Sequence, residues 1–195
     1  MTDIKVTKQI GRGGWNGPIA AKNGTIWLVT GGTLREGRIA DDVTTTQVGR
    51  GGWTGNIAVD DGYVYLTVNG TLRRGRIAAD VVTTEIGRGG WDGPIAVDAG
   101  YIYLVTGGTL RRGVIAPDVT TTQIGRGGWA GNIAVSGGYI YLTSGGTLRR
   151  GLVAGVSDVT TELVGQGGWN GAITVDGGSI FLTIDGTLWQ GSVNV

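Results

Sequence analysis

Residues 86–123 read IGRGGWDGPIAVDAGYIYLVTGGTLRRGVIAPDVTTTQ, and the whole chain is this segment written about five times. Gly-x-Gly-Gly-Trp recurs at residues 11–15, 49–53, 87–91, 125–129 and 165–169, so the tryptophans lie 38, 38, 38 and 40 positions apart. A period near 40 marks one supersecondary unit copied in tandem. The repeats run 10–47, 48–85, 86–123, 124–163 and 164–195, the last completed by residues 1–9.

Within one repeat the residues spell four strands. Pro94-Ile95-Ala96-Val97 is a short apolar run, and Asp98-Ala99-Gly100 is a turn. Tyr101 through Thr106 is aromatic and β-branched, the composition that packs well on a pleated surface. Gly107-Gly108 leads to a third strand, Thr109 through Ile115, which Pro117-Asp118 ends. Val119 through Ile124 is the fourth strand. The dipeptide between strands two and three is Gly31-Gly32, Asn69-Gly70, Gly107-Gly108, Gly145-Gly146 or Asp185-Gly186. These pairs accept positive φ at both central positions of a type I′ turn, so a tight hairpin is predicted at the same place in every repeat. No 3.6-residue apolar periodicity is present to suggest a helix.

The first two strands of a repeat are apolar on both faces, as in Asn56-Ile57-Ala58-Val59 and Tyr63-Val64-Tyr65-Leu66, so both faces must be covered. The Thr-rich fourth strand reads as half exposed. Sheets graded from buried to exposed and repeated radially make a β-propeller. The ends agree: residues 4–10 align with the fourth strand at 42–48, while the chain stops after a third strand at 187–193. The N-terminal strand is therefore predicted to complete the last blade, leaving no orphan edge. The expectation is an all-β, five-bladed β-propeller of four antiparallel strands per blade, forming one domain over residues 1–195.

Composition narrows the function. Gly is 41 of 195 residues, without the three-residue period of collagen, and it clusters at fixed repeat positions that read as turns. A net charge of +1 asks for neither nucleic acid nor an anionic membrane. There is no Cys, hence no disulfide or thiolate chemistry, and no His, the commonest general base and transition-metal ligand. No apolar run is long enough to span a bilayer. The polar start, MTDIKVTKQ, lacks the apolar stretch of a signal peptide. A soluble monomer, cytoplasmic or released by a non-classical route, is the expectation, with no cofactor and no metal.

The Ile-Gly-x-Gly-Gly-Trp-(Asn/Asp) segment, the Gly-Thr-Leu-x-x-Gly third strand, the five copies and the N-terminal closing strand together resemble the tachylectin-2 family of five-bladed propeller lectins. The resemblance covers essentially the whole chain, although these repeats are shorter than that family's, with only Ala40-Asp41-Asp42 linking strands three and four. It implies binding of glycans that bear N-acetylated hexosamines, chiefly N-acetylglucosamine, in shallow pockets between blades. Each pocket would be built partly from the loop after Gly-Gly-Trp, and several weak sites on one face would give avidity.

Two readings attach to each candidate. Trp15, Trp53, Trp91, Trp129 and Trp169 are either walls for a sugar or inter-blade packing. Trp27, Tyr65, Tyr103, Tyr141 and Phe181 share one position in the second strand and read as core. Each loop after Trp holds one amide or carboxylate: Asn16, Asp92 and Asn170 directly after it, Asn56 and Asn132 three positions after it. Such groups either hold sugar hydroxyls and amides or simply make the turn. The alternation predicts two classes of site. Arg12, Arg50, Arg88 and Arg126 precede Gly-Gly, as donor forks for a ligand or as solvated charges. Arg35, Arg73-Arg74, Arg111-Arg112 and Arg149-Arg150 on the third strand are expected to blunt an edge.

Three functions follow. The first is a multivalent lectin. The second is a structural scaffold without a ligand, engineered, ancestral or recently amplified, since residues 10–47 and 86–123 match at 29 of 38 positions. The third is an enzyme, disfavoured because His is absent and the only insertion is two residues near Ala154-Gly155-Val156-Ser157.

Overall fold

The computed structural model describes residues 3–193 and contains twenty strands and, among those residues, no helix. Blade 1 is β2 (Ile19–Lys22), β3 (Thr25–Thr30), β4 (Thr33–Arg38) and β5 (Thr46–Gly49). Blade 2 is β6 (Ile57–Asp60), β7 (Tyr63–Val68), β8 (Thr71–Arg76) and β9 (Thr83–Gly87). Blade 3 is β10 (Ile95–Asp98), β11 (Tyr101–Thr106), β12 (Thr109–Val114) and β13 (Thr122–Gly125), and blade 4 is β14 (Ile133–Ser136), β15 (Tyr139–Ser144), β16 (Gly146–Leu152) and β17 (Glu162–Trp169). Blade 5 is β18 (Ile173–Asp176), β19 (Ser179–Ile184) and β20 (Thr187–Ser192), with β1 (Val6–Gly11) as its outer strand in the order β1-β20-β19-β18. The fold is a five-bladed β-propeller whose N-terminal strand completes the last blade.

Local chemistry sets the hairpins. Both residues of every β3–β4-type turn have positive φ, from Gly31 at 56° and Gly32 at 74° to Asp185 at 47° and Gly186 at 73°. The inner hairpins share this geometry, and in blade 3 it falls on Ala99, at φ 50°. Other glycines answer to crowding. A Cβ on Gly17, Gly55, Gly93, Gly131 or Gly171 would run into the carbonyl oxygen of Val29, Thr67, Val105, Thr143 or Thr183. The reading of all these glycines as turn residues is thus corrected: this one lets a loop cross a strand at backbone contact.

The core sits between blades. Five apolar clusters each combine neighbouring sheets, such as Trp27, Val29 and Leu34 of blade 1 with Ile57, Val64 and Leu66 of blade 2. The inner strands β2, β6, β10, β14 and β18 contact one another all round the ring. They leave a central cavity of about 30 Å³, room for about one or two water molecules. At the seam between blades 5 and 1 the Ala21 amide donates to Thr174 Oγ1 at 2.9 Å and the Gly24 amide to Asp176 Oδ2 at 2.8 Å.

Two boundaries differ from expectation. The fourth strand of blade 3 begins at Thr122, not Val119, because Val119 turns into the adjoining blade: it is buried and its amide donates to Ile86 O at 2.7 Å. Val43, Val81 and Val159 make the same bond to Ile10, Val48 and Ile124. In the N-terminal strand Ile4, bonded to Val164 O, takes this part, whereas alignment by repeat gives it to Lys5. A bulge between Val6 and Lys8 absorbs the extra residue.

The third-strand arginines are also reassigned. Arg35, Arg73, Arg111 and Arg149 are half-buried and each donates Nε to a Thr Oγ1 (Thr45, Thr83, Thr121, Thr161) at 2.8–3.0 Å and Nη2 to the same residue's carbonyl at 2.6–2.8 Å. They tie the outer strand to the blade through a forked, charge-assisted contact. In blade 5 Trp189 occupies this position.

Candidate functional site

The Gly-Gly-Trp loops gather on one face of the ring, each between an outer strand and the next inner strand. The tryptophan of each loop is anchored at its backbone: Trp15 N donates to Gly186 O, Trp53 to Gly32, Trp91 to Gly70 and Trp129 to Gly108, at 3.2–3.3 Å. The acceptors are the second residues of the type I′ turns. The indoles of Trp15, Trp53, Trp91, Trp129 and Trp169 lie in the inter-blade clusters with 3–4% of their surface exposed. Rings so covered hold blades together through buried aromatic area, the packing reading of the two.

The residue directly after Trp leans over the neighbouring turn. A Cβ on Gly186 would meet Asn16 Oδ1 at 2.8 Å, one on Gly70 would meet Asp92 Oδ1 at 3.2 Å, and one on Gly146 would meet Asn170 Oδ1 at 3.4 Å. Asn16, Asp92 and Asn170 remain exposed to solvent, while Asn56 and Asn132 are half-buried just before the inner strands β6 and β14.

The third residue after each Trp is matched to the strand it crosses. The amides of Asn56, Asn132 and Ala172 donate to Oγ1 of Thr67, Thr143 and Thr183 at 3.2, 3.2 and 3.0 Å. Blades 1 and 3 carry Pro18 and Pro94 at this position, which have no N–H, and there the facing residues are Val29 and Val105. Each blade thus matches an acceptor to a donor, or omits both.

One junction opens into a pocket. Between blades 5 and 1 a cavity of about 390 Å³ is lined by Trp15, Asn16, Asn132, Asn170, Thr183 and Asp185, with backbone of the adjoining loops. Three blades contribute one amide each. Asn132 Nδ2 also donates to Gly171 O at 3.0 Å, fixing part of the wall. Four of the residues singled out in the sequence meet here. Thr183 and Asp185, which sequence reasoning passed over as strand and turn, join them; the Thr at 67, 143 and 183 was the available signal. Arg12, Arg50, Arg88 and Arg126 do not line this pocket: all four are exposed, Arg88 pairs with Glu85 at 2.8 Å, and Arg126 edges a separate groove with Ser157 and Asp158.

The opposite end of the channel is charged. Lys22 Nζ lies 2.7 Å from Asp60 Oδ1 and 3.9 Å from Asp98 Oδ1. Burial works against the Lys22 ammonium, but the hydrogen bond and charge of Asp60 outweigh it and hold its pKa above the ordinary lysine value. Burial holds the Asp98 carboxyl above the usual carboxylate range, against the opposing pull of Lys22 and of hydrogen bonds from the Gly137 and Gly138 amides. Among the described residues no group of three His, Cys, Asp or Glu is arranged to hold a metal ion.

No family model matches this chain, and no curated protein matches its sequence. Solved structures do match. A glutaminyl cyclase of Myxococcus xanthus is similar at TM-score 0.61 and 16% identity, over 98% of this chain and 97% of its own. A chain of a nidogen/laminin complex is similar at TM-score 0.62 and 9% identity, over 90% of this chain and 71% of its own. A gluconolactonase of Xanthomonas campestris is similar at TM-score 0.59 and 10% identity, over 87% of this chain and 69% of its own. At such identities the likeness is one of fold, and propellers that share it include enzymes.

Proposed function

We propose that this chain is a multivalent carbohydrate-binding protein, a lectin for N-acetylated hexosamines such as N-acetylglucosamine, with its sites at the blade junctions on the tryptophan-loop face. The observation that supports this reading is the pocket between blades 5 and 1, where Asn16, Asn132 and Asn170 come together around about 390 Å³. Carboxamides offer both donors and acceptors, which is what a sugar's hydroxyls and acetamido group require. The polar side chains of the lining are three amides, one hydroxyl and the single carboxylate Asp185, a set suited to holding a neutral ligand and poor in the paired acid and base of hydrolysis. We therefore assign the chain binding and not catalysis. Equivalent sites at further junctions would add their weak affinities on a clustered glycan.

A second reading, a structural or engineered repeat scaffold without a ligand, is favoured by the pairing of Pro18 with Val29 and of Asn56 with Thr67, in which backbone hydrogen bonding alone accounts for where Pro replaces an N–H donor. Calorimetry with N-acetylglucosamine, together with a sugar-soaked crystal, separates the two. Saturable heat and density beside Asn16 and Asn170 support the lectin; no heat at millimolar sugar and an empty pocket leave the scaffold.

A further inference from the structure

Blades 2, 3 and 4 share a feature on the sheet face that looks toward the next blade. Arg74, Arg112 and Arg150 stack over Tyr63, Tyr101 and Tyr139, with the guanidinium carbon 4.9–5.2 Å from the ring centre. The same arginines face the hydroxyls of Tyr65, Tyr103 and Tyr141, their cross-strand partners. In these blades the chain's own guanidinium lies in the outer groove, over one tyrosine and beside a buried phenol.

Blade 1 reverses this chemistry. Thr25 stands for the stacked tyrosine, Trp27 for the buried one, and Glu36 for the arginine, with Trp27 and Glu36 directly paired across β3 and β4. The Trp27 ring is buried, and its Nε1–H has no hydrogen-bond partner among the described residues. A buried donor left unpaired is destabilising. Glu36 is half-buried and forms no ion pair among the described residues, although Arg38 lies two positions along the same strand. Without the arginine and the outer tyrosine a groove of about 580 Å³ remains, lined by Thr25, Trp27, Glu36, Arg38, Asp42 and Ile77 of the next blade.

We propose that this groove binds an arginine residue of a peptide ligand: the guanidinium pairs with Glu36 beside the buried Trp27 ring, where blades 2–4 place an internal arginine. The anion is in position, and the cation that three sister blades supply from within is missing. A forked guanidinium suits a carboxylate better than a point charge does. This site lies on the outer part of the blade 1–blade 2 interface and stands apart from the sugar reading of the blade 5–blade 1 pocket; each survives the failure of the other.

The test is a titration of the full-length, nitrogen-15-labelled protein with N-acetyl-arginine amide, following the Trp27 indole N–H resonance, which is assigned by its loss in Trp27→Tyr. A saturable shift is expected, weakened about tenfold or more by Glu36→Gln, the loss of one charge-assisted contact. N-acetyl-citrulline amide, which keeps the size of the side chain but not its charge, is expected to bind more weakly, by about tenfold or more. The double variant Trp27→Tyr/Glu36→Arg installs a pair with which blades 2–4 already fold, and by tyrosine and arginine resonances it should no longer respond to the probe. An indole resonance that does not move up to the solubility limit of the probe, a Glu36→Gln protein that titrates like the parent, or an equal shift with N-acetylglucosamine overturns the proposal.

Discussion

The backbone N–H of Asn56 donates to Thr67 Oγ1 at 3.2 Å, under a loop whose glycine, Gly55, lies against the Thr67 carbonyl. Thr67 is buried, so this hydroxyl is the local answer to an amide that water reaches poorly. Thr67→Val is expected to cost about 1–2 kcal/mol, the penalty for stranding that donor. Adding Asn56→Pro removes the donor and reproduces the Pro18–Val29 pairing of blade 1, so the double variant should recover most of the loss. Denaturant unfolding of the two single variants and the double variant measures the coupling; simple additivity of the costs would show the pairing to be incidental.

At the charged end of the channel the two carboxylates near Lys22 should respond oppositely to loss of charge. Asp60 is almost fully buried and holds the closer contact, so Asp60→Asn leaves a half-buried ammonium without its main partner and is expected to cost about 2–3 kcal/mol. Asp98 is disfavoured as an anion by its burial, and an asparagine keeps the acceptor for the Gly137 and Gly138 amides. Asp98→Asn should hold or raise the melting temperature at neutral pH. The signs of linkage follow from the two raised pKa values. Lys22 contributes stability that is present below its unfolded value of 10.5 and lost as pH rises through its higher folded value. Asp98 favours the fold at pH below 3.8 and loses that contribution as pH rises through its raised folded value, so its penalty is complete at neutral pH. Melting curves of parent and Asp98→Asn from acid to neutral pH should diverge in the variant's favour as pH rises; convergence would refute the assignment.

Much of this fold is legible in the sequence because its determinants are local. The dipeptides Asn69-Gly70 and Asp185-Gly186 need only their own φ preferences to make a hairpin, and the missing fourth strand of the last repeat can be counted. What escapes depends on neighbours. Val119 alternates like a strand residue, yet its amide goes to another blade, which no pattern within one repeat reveals. Both halves of the Asn56–Thr67 pairing are plain in the sequence, but their meeting depends on a loop crossing the β7 backbone. The candidate site was half legible for the same reason. Asn16, Asn132 and Asn170 stand out within their repeats, while their convergence at one junction follows from ring closure, which brings residues 16 and 170 together.

Ala99 is the one turn residue with positive φ among the described residues that is neither Gly, Asn nor Asp. The left-handed region costs a residue with a Cβ and no local polar side chain about 1–2 kcal/mol. The equivalent positions hold Asn23 and Asp61 at φ 51° and 47° in blades 1 and 2. Ala99→Asn is therefore expected to stabilise the protein by about 0.5–1 kcal/mol, with Ala99→Gly gaining less because it also loosens the unfolded chain. Thermal unfolding of both variants decides it, and a melting temperature lower than the parent's in both would contradict the strain.

The amides of the blade 5–blade 1 pocket separate the lectin from the scaffold. Asn16 and Asn170 are exposed, and neither side chain has a hydrogen bond within the described residues, so their removal should leave the fold's stability within about 0.5 kcal/mol of the parent's. If they hold a sugar, Asn16→Ala and Asn170→Ala each remove a donor–acceptor group facing the ligand, worth about 1 kcal/mol or a fivefold loss of affinity per amide. Asn132→Ala should cost stability as well, because its Nδ2 bridges to Gly171 of the next loop. Titration of N-acetylglucosamine into the three variants, alongside melting curves, reads the two quantities separately. Affinity that falls while stability holds at Asn16 and Asn170 places the sugar in the junction, because a scaffold role alone offers those two amides no ligand to lose.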